Sequence, residues 1–163
     1  MSGGPAGGRS SGGSGIAGVI RCESGDLAEA LGGISLPDNA LVFVSRIDRT
    51  GEWSAVFQEL TEAFYLTQEA ARDEGPVVYV LDGDDLLGRR GPGRAMVACG
   101  LLSAARTLAL ETARSGVPVN VIAVSEDTSP ELVGTWVESL CRTGGPNGEL
   151  IRLDGSHLGK ALP

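Results

Sequence analysis

Aromatic residues are scarce in this chain, at 4% of 163 residues, and histidine occurs once, as His157. A core must therefore be packed from Ala, Val and Leu, and His157 lies near the end of the sequence, a poor place for a general base. The three cysteines, Cys22, Cys99 and Cys141, are odd in number and widely spaced. That supports neither a disulfide framework nor a zinc site, and a cytoplasmic location is expected. No apolar run is long enough to span a bilayer. No basic segment followed by an apolar one opens the chain, so no secretory signal is expected. Basic residues are in the minority: the net charge is −8, which argues against nucleic acid or an anionic membrane as a partner.

What is present fits one α/β domain. The hydrophobic fraction is 42%, with 25 glycines, and the length suffices to bury a core. Residues 1–15 are Gly, Ser, Pro and Ala with one arginine, a composition that cannot offset its ordering entropy, so a disordered tail is expected there. The domain is expected over 16–163. Segments 16–22, 40–44, 77–81, 119–124 and 150–153 read as strands, several as continuous apolar runs of the kind buried on both faces. A helix is expected over 26–31. A stronger one runs from Trp53, with Val56, Phe57, Leu60, Ala63, Phe64 and Thr67 forming one apolar stripe, and ends before Gly75-Pro76. The stretch 82–93 reads as a loop. The next helix covers 94–114, with Leu101, Leu102, Ala105, Leu108 and Ala109 inward, and stops at Ser115-Gly116. Ser129-Pro130 pairs an N-cap with proline at the first helical position, opening a helix that buries Leu132, Val133, Trp136, Val137 and Leu140. Alternating strands and helices predict a parallel sheet covered on both faces.

Several segments carry a resemblance. Residues 58–68 (QELTEAFYLTQ) are similar to a helix that reads NLTGAFLLTQ in the short-chain dehydrogenase/reductase family. Residues 107–124 (TLALETARSGVPVNVIAV) follow that family's TLALELAPSGIRVNAVAP. Gly75-Pro-Val-Val-Tyr-Val80 resembles the strand before its catalytic serine, and Leu153-Asp-Gly155 its closing VDGG. Residues 20–30 resemble its third strand and the short helix after it. The resemblance covers roughly 19–156 and implies a truncated Rossmann-like parallel sheet. If Ile20 begins the family's third strand, the first two strands and the Gly-rich turn that holds the dinucleotide are absent. Gly13, Gly15 and Gly18 spell G-x-G-x-x-G, but no strand precedes them and a strand follows, so the spelling lacks the context that gives it meaning.

The resemblance also implies where catalysis would sit, and other residues stand there. Aligning back from Leu108-Ala-Leu-Glu111 puts Arg94 at the family's tyrosine and Ala98 at its lysine. Its serine falls at Leu81 or Asp82, and its helix asparagine at Glu59. The expectation is a pseudoenzyme with no catalytic residue and no cofactor of its own. Its partner is expected to be a complete short-chain dehydrogenase/reductase subunit that holds NAD(P), most simply in a heterotetramer. The family's oligomers use the two long helices, which nominates Trp53, Phe57, Leu60, Phe64, Leu101, Leu102, Ala105 and Leu108 as the interface. By resemblance to ketoacyl reductases and hydroxyacyl-CoA dehydrogenases, the partner's substrate would be a β-keto or β-hydroxy acyl thioester. Arg89, Arg90 and Arg94 are candidate contacts for an acidic surface or a coenzyme phosphate. Asp82, Asp84 and Asp85 would need Glu126 or Asp127 to form a metal site, and a solvated loop is the simpler reading. Ser103, Ser125 and Ser129 show no triad partners. The competing reading is a free-standing homo-oligomer that binds a small molecule or acyl thioester without chemistry.

Overall fold

The computed structural model describes residues 18–46 and 52–153. The expected tail over 1–15, the G-x-G-x-x-G spelling apart from Gly18, and the segment from Asp154 that includes His157 lie outside the described residues. Five strands form one all-parallel sheet in the order β1 (Val19–Arg21), β2 (Leu41–Val44), β3 (Val77–Asp82), β4 (Val119–Val124) and β5 (Leu150–Arg152). Between them run α1 (Asp26–Gly32), α2 (Trp53–Arg72), α3 (Gly83–Leu86), α4 (Pro92–Glu111) and α5 (Pro130–Arg142).

The strands alternate their side chains between two cores, as a period of two requires. Leu41, Phe43, Val77, Tyr79, Val119 and Val121 meet α2 and α4 on one face. Val42, Val78, Val80 and Ile122 meet α1 and α5 on the other. Burial pushes the Tyr79 phenol above its ordinary pKa, partly offset by its hydrogen bond to Thr67. Buried Asn120 ties β4 to the chain entering β5, donating to the Pro146 carbonyl and accepting from the Glu149 N–H. Every crossover steps the same way across the sheet, so those through α1 and α5 have the opposite hand to those through α2 and α4. Right-handed crossovers are the rule for parallel strands, and two of these four connections depart from it. The gain is that both faces of the sheet are covered.

Helix ends follow local chemistry. The Ser129 hydroxyl accepts the Leu132 N–H at 3.2 Å, and Pro130 opens α5. Pro92 likewise begins α4 two residues earlier than expected, because its fixed φ suits a first helical position. The chain turns after α4 at Gly116, whose φ of 71° lies in the left-handed region. The stretch read as a loop over 82–93 contains α3, a single turn capped by Asp82, which accepts the Asp84 N–H at 2.8 Å. Two helical stripes also differ from expectation. Trp53, Phe57 and Phe64 on α2, and Leu132 and Trp136 on α5, are exposed, while α2 buries Glu59.

The placement of β1 corrects the expected strand assignment. In the doubly wound order 3-2-1-4-5-6, two strands lie between the third and the fourth, and β2 corresponds by resemblance to the fourth. Here β1 pairs directly with β2, Val19 beside Leu41 and Arg21 beside Phe43. It occupies the place of a first strand, and the turn after it occupies the place of a first strand's turn.

Candidate functional site: the strand ends and the paired-helix face

All five strands point their C-terminal ends to one edge, where open parallel sheets bind ligands. Between the ends of β1 and β2 this edge opens into a crevice of about 630 Å³, lined by residues 22–28, Val44, Ser45 and Arg46, by Glu59 and Glu62 from α2, and by Arg94. Glu59 and Glu62 in its wall belong to an ion-paired cluster centred on Arg21. Arg21 donates to both carboxylate oxygens of Glu59, to Glu62 at 2.8 Å and to the Val44 carbonyl at 2.7 Å. Its guanidinium lies 4.5 Å above the Phe43 ring, a cation–π contact that desolvation strengthens. Glu59 also accepts the backbone N–H of Arg46 at 2.7 Å. Burial alone would lower the Arg21 pKa, but hydrogen bonds and charge from Glu62 and Glu59 outweigh it and hold it above its ordinary value. The Arg21 hydrogen bond holds the Glu62 carboxyl below its ordinary value.

The positions assigned to catalysis by resemblance are occupied by residues with other roles. Arg94 donates its Nε–H to Asp85 at 2.8 Å, in a pair that is largely buried. Asp82 meets Arg90 at 2.8 Å while capping α3. Ala98 and Leu81 are packed into the core. Glu59, expected only as a substituted asparagine, lines the crevice and pairs with Arg21. The arginines proposed as anion contacts are each already met by a carboxylate: Arg89 by Asp84, Arg90 by Asp82 and Glu126, and Arg94 by Asp85. These pairs compete with any outside anion, most strongly at Arg94, whose pair with Asp85 is the least exposed of the three. The same pairs account for the acidic loop, and among the described residues no group of three His, Cys, Asp or Glu side chains gathers to hold a metal.

The proposed interface residues divide. Trp53, Phe57 and Phe64 are 60–67% exposed along one side of α2, recurring at four- and seven-residue steps that keep them on one face. Leu60 is half-buried and leans onto Gly100 of α4. Leu101, Ala105 and Leu108 instead pack into the chain's own core, with Leu102 half-buried against it. They are not available to a partner as expected, because the stripe that is most apolar is the one the sheet claims. The outward residues of α4 include Met96, Cys99, Ser103, Ala104, Arg106, Thr107 and Leu110. Sequence reading missed this face because small and polar residues dominate it and its two large apolar side chains, Met96 and Leu110, are 14 positions apart and form no stripe.

No protein-family model matches the sequence, and no curated protein is similar to it in sequence. Solved structures do match. Acetoin dehydrogenase from Enterobacter cloacae superimposes with a TM-score of 0.61 at 16% identity, over 71% of this chain and 62% of that one. A short-chain dehydrogenase/reductase family oxidoreductase from Brucella ovis, solved with a partially ordered NAD, gives 0.58 at 19% identity, over 71% and 64%. The fold is that of the short-chain dehydrogenases/reductases. The 3-hydroxyacyl-CoA dehydrogenase type-2 from Mycobacterium avium matches at 0.60 and 13% identity, over 87% of this chain and 95% of that one. The chain thus spans under two thirds of the length of the first two structures. No helix among the described residues is long and apolar enough to cross a membrane.

Proposed function

We propose that the chain is a non-catalytic subunit that assembles with a complete short-chain dehydrogenase/reductase and supports its oligomer and activity. The observation that carries this reading is the α2 stripe. Three large aromatic side chains stand 60–67% exposed on one helix face, in a chain where aromatics are only 4% of residues. Aromatic side chains of this kind anchor interfaces, and an exposed apolar patch on a folded domain marks a contact surface. Beside it, α4 offers Cys99, Ser103 and Ala104, small enough to let another helix approach closely.

The non-catalytic part rests on Arg94, Asp82 and Glu59. Each is held in an ion pair within the chain, and none supplies the phenol, amine or neutral hydroxyl that hydride-transfer chemistry in this fold uses by resemblance. The partner would hold NAD(P). The name of the Mycobacterium avium structure agrees with an acyl thioester as the partner's substrate class.

Co-expression with a complete member of the family, tagging only this chain, tests the assembly. A stoichiometric complex with nicotinamide-dependent activity is expected, lost when Phe57→Glu and Ala104→Glu are introduced. A variant that still co-purifies at full yield would remove the paired-helix face as the interface. The competing reading, a homo-oligomer that binds a small molecule, draws on the 630 Å³ crevice. It predicts a chain that is well folded alone and ignores the dehydrogenase.

A further inference from the structure

A dinucleotide in a Rossmann-type sheet sets its pyrophosphate on backbone N–H groups at the turn after the first strand, where glycines allow close approach. In this chain that place is the turn over residues 22–26, and its residues do not suit the group. The turn has one glycine, Gly25, flanked by carboxylates at Glu23 and Asp26. Glu59 and Glu62 add two more from the α2 wall. Each arginine in or beside the crevice wall is already paired: Arg46 with Glu23 and Arg94 with Asp85 in the lining, and Arg21 with Glu59 and Glu62 behind it. A pyrophosphate brought here would meet carboxylates and would have to break an existing ion pair to find a cation.

We infer that Arg21 and Glu59 form a strut in the crevice wall that joins β1, β2 and α2 where the fold otherwise places a dinucleotide, and that the crevice excludes that cofactor. The connectivity supports it. Arg21 lies at the end of β1, its hydrogen bond to the Val44 carbonyl reaches the end of β2, and Glu59 belongs to α2. Glu59 also fixes the backbone leaving β2 through the Arg46 N–H. The Arg21 and Glu59 side chains are 10% and 5% exposed, so the pair is shielded from the screening that weakens surface pairs.

Two measurements on the full chain test this. NADH and NADPH are titrated by fluorescence, and ADP-ribose by calorimetry. No saturable binding is expected up to about 1 mM, and a Kd below that for any of the three overturns the inference. Separately, Arg21→Met is expected to lower Tm by about 10 °C, because it leaves the Glu59 carboxylate buried without its counter-charge, and Glu59→Gln by less, because Arg21 keeps the more exposed Glu62 as a partner. The double variant is expected to lose clearly less than the sum of the two. Single variants with unchanged Tm, or strictly additive losses, overturn the strut. Should a single variant fail to fold, the titrations of the unaltered chain still decide whether the crevice takes a dinucleotide. Neither readout involves a partner subunit, so a failed co-purification leaves this inference standing.

Discussion

The carbonyl oxygen of Asn39 stands 1.8 Å from the point where Gly75 would carry a Cβ. This contact brings the chain leaving α2 against the chain entering β2, and the Asn39 side chain adds a hydrogen bond to the Asp73 carbonyl at 2.7 Å. Gly75→Ala is therefore expected to cost about 3 kcal/mol or more, since backbone must move to admit one methyl group. The neighbouring residue behaves oppositely. Glu74 has a φ of 53°, a conformation glycine adopts without strain, so Glu74→Gly is expected to leave stability within about 1 kcal/mol of the original or raise it. Urea denaturation of both variants checks the contrast.

Leu101 and Phe57 separate core from contact surface. Leu101→Ala is expected to cost about 2–5 kcal/mol, as for other buried leucines, because Leu101 is 2% exposed between α4 and the sheet. Phe57→Ala, at a side chain 63% exposed, is expected to change the isolated chain by less than about 1 kcal/mol. Thermal melts of the two variants decide it, and a large loss at Phe57 would place that ring in the core.

Ser129→Ala removes the acceptor for the Leu132 N–H. The expected loss is about 1 kcal/mol, read as a fall in Tm of a few degrees, and Ser129→Asp should restore it. Restoration by aspartate but not by alanine distinguishes a cap from a packing role.

The thiols should differ in reactivity. Cys99 is exposed, Cys22 is half-buried and Cys141 is buried. Burial pushes the Cys141 thiol up to about 12, and burial also raises Cys22. Thiol titration at pH 8 is expected to modify Cys99 first, Cys22 more slowly, and Cys141 only on unfolding. The sign for stability follows from the raised folded-state value. The Cys141 contribution is complete below the unfolded thiol's ordinary pKa and is lost as pH rises toward about 12. Cys141→Ala should therefore flatten the alkaline limb of a Tm-against-pH curve.

Acid should act through Glu62. Its carboxyl is held below the ordinary value by Arg21, so its contribution is present above the unfolded carboxylate's pKa and fades as pH falls through the lower folded value. Because Glu62 is well exposed, the effect is expected to be small. A Glu62→Gln variant should lose less Tm between pH 5 and about 3 than the original chain, and an identical acid limb would show that the contact is worth nothing.

Much of the fold was legible in local chemistry. The continuous apolar runs at β2, β3 and β4 have almost no polar side chain to place outward, apart from satisfied Asn120 and Asp82 at the end of β3, and so had to be buried on both faces. Ser129-Pro130 marked its helix start, and Gly116 the turn after α4. These signals depend on residues close in sequence, and they survive whatever the rest of the chain does.

Other features were decided only by tertiary packing. The partner of β1 is set by which strand edge is free to accept it, so the sequence could liken the strand to a third one while the sheet puts it in a first strand's place. The α2 stripe was readable as apolar, but periodicity cannot say which side a sheet will claim. Val56, Ala63 and Ala70 went inward, and the larger Trp53, Phe57 and Phe64 stayed out, because α2 lies close against α4 and the sheet. Arg21 and Glu59 are 38 positions apart, so no local pattern could announce their meeting. The sequence by itself determined the strands and the longer helices. Only the folded sheet decided that β1, β2 and α2 converge on one buried ion pair, because that contact exists only where distant strand ends are brought side by side.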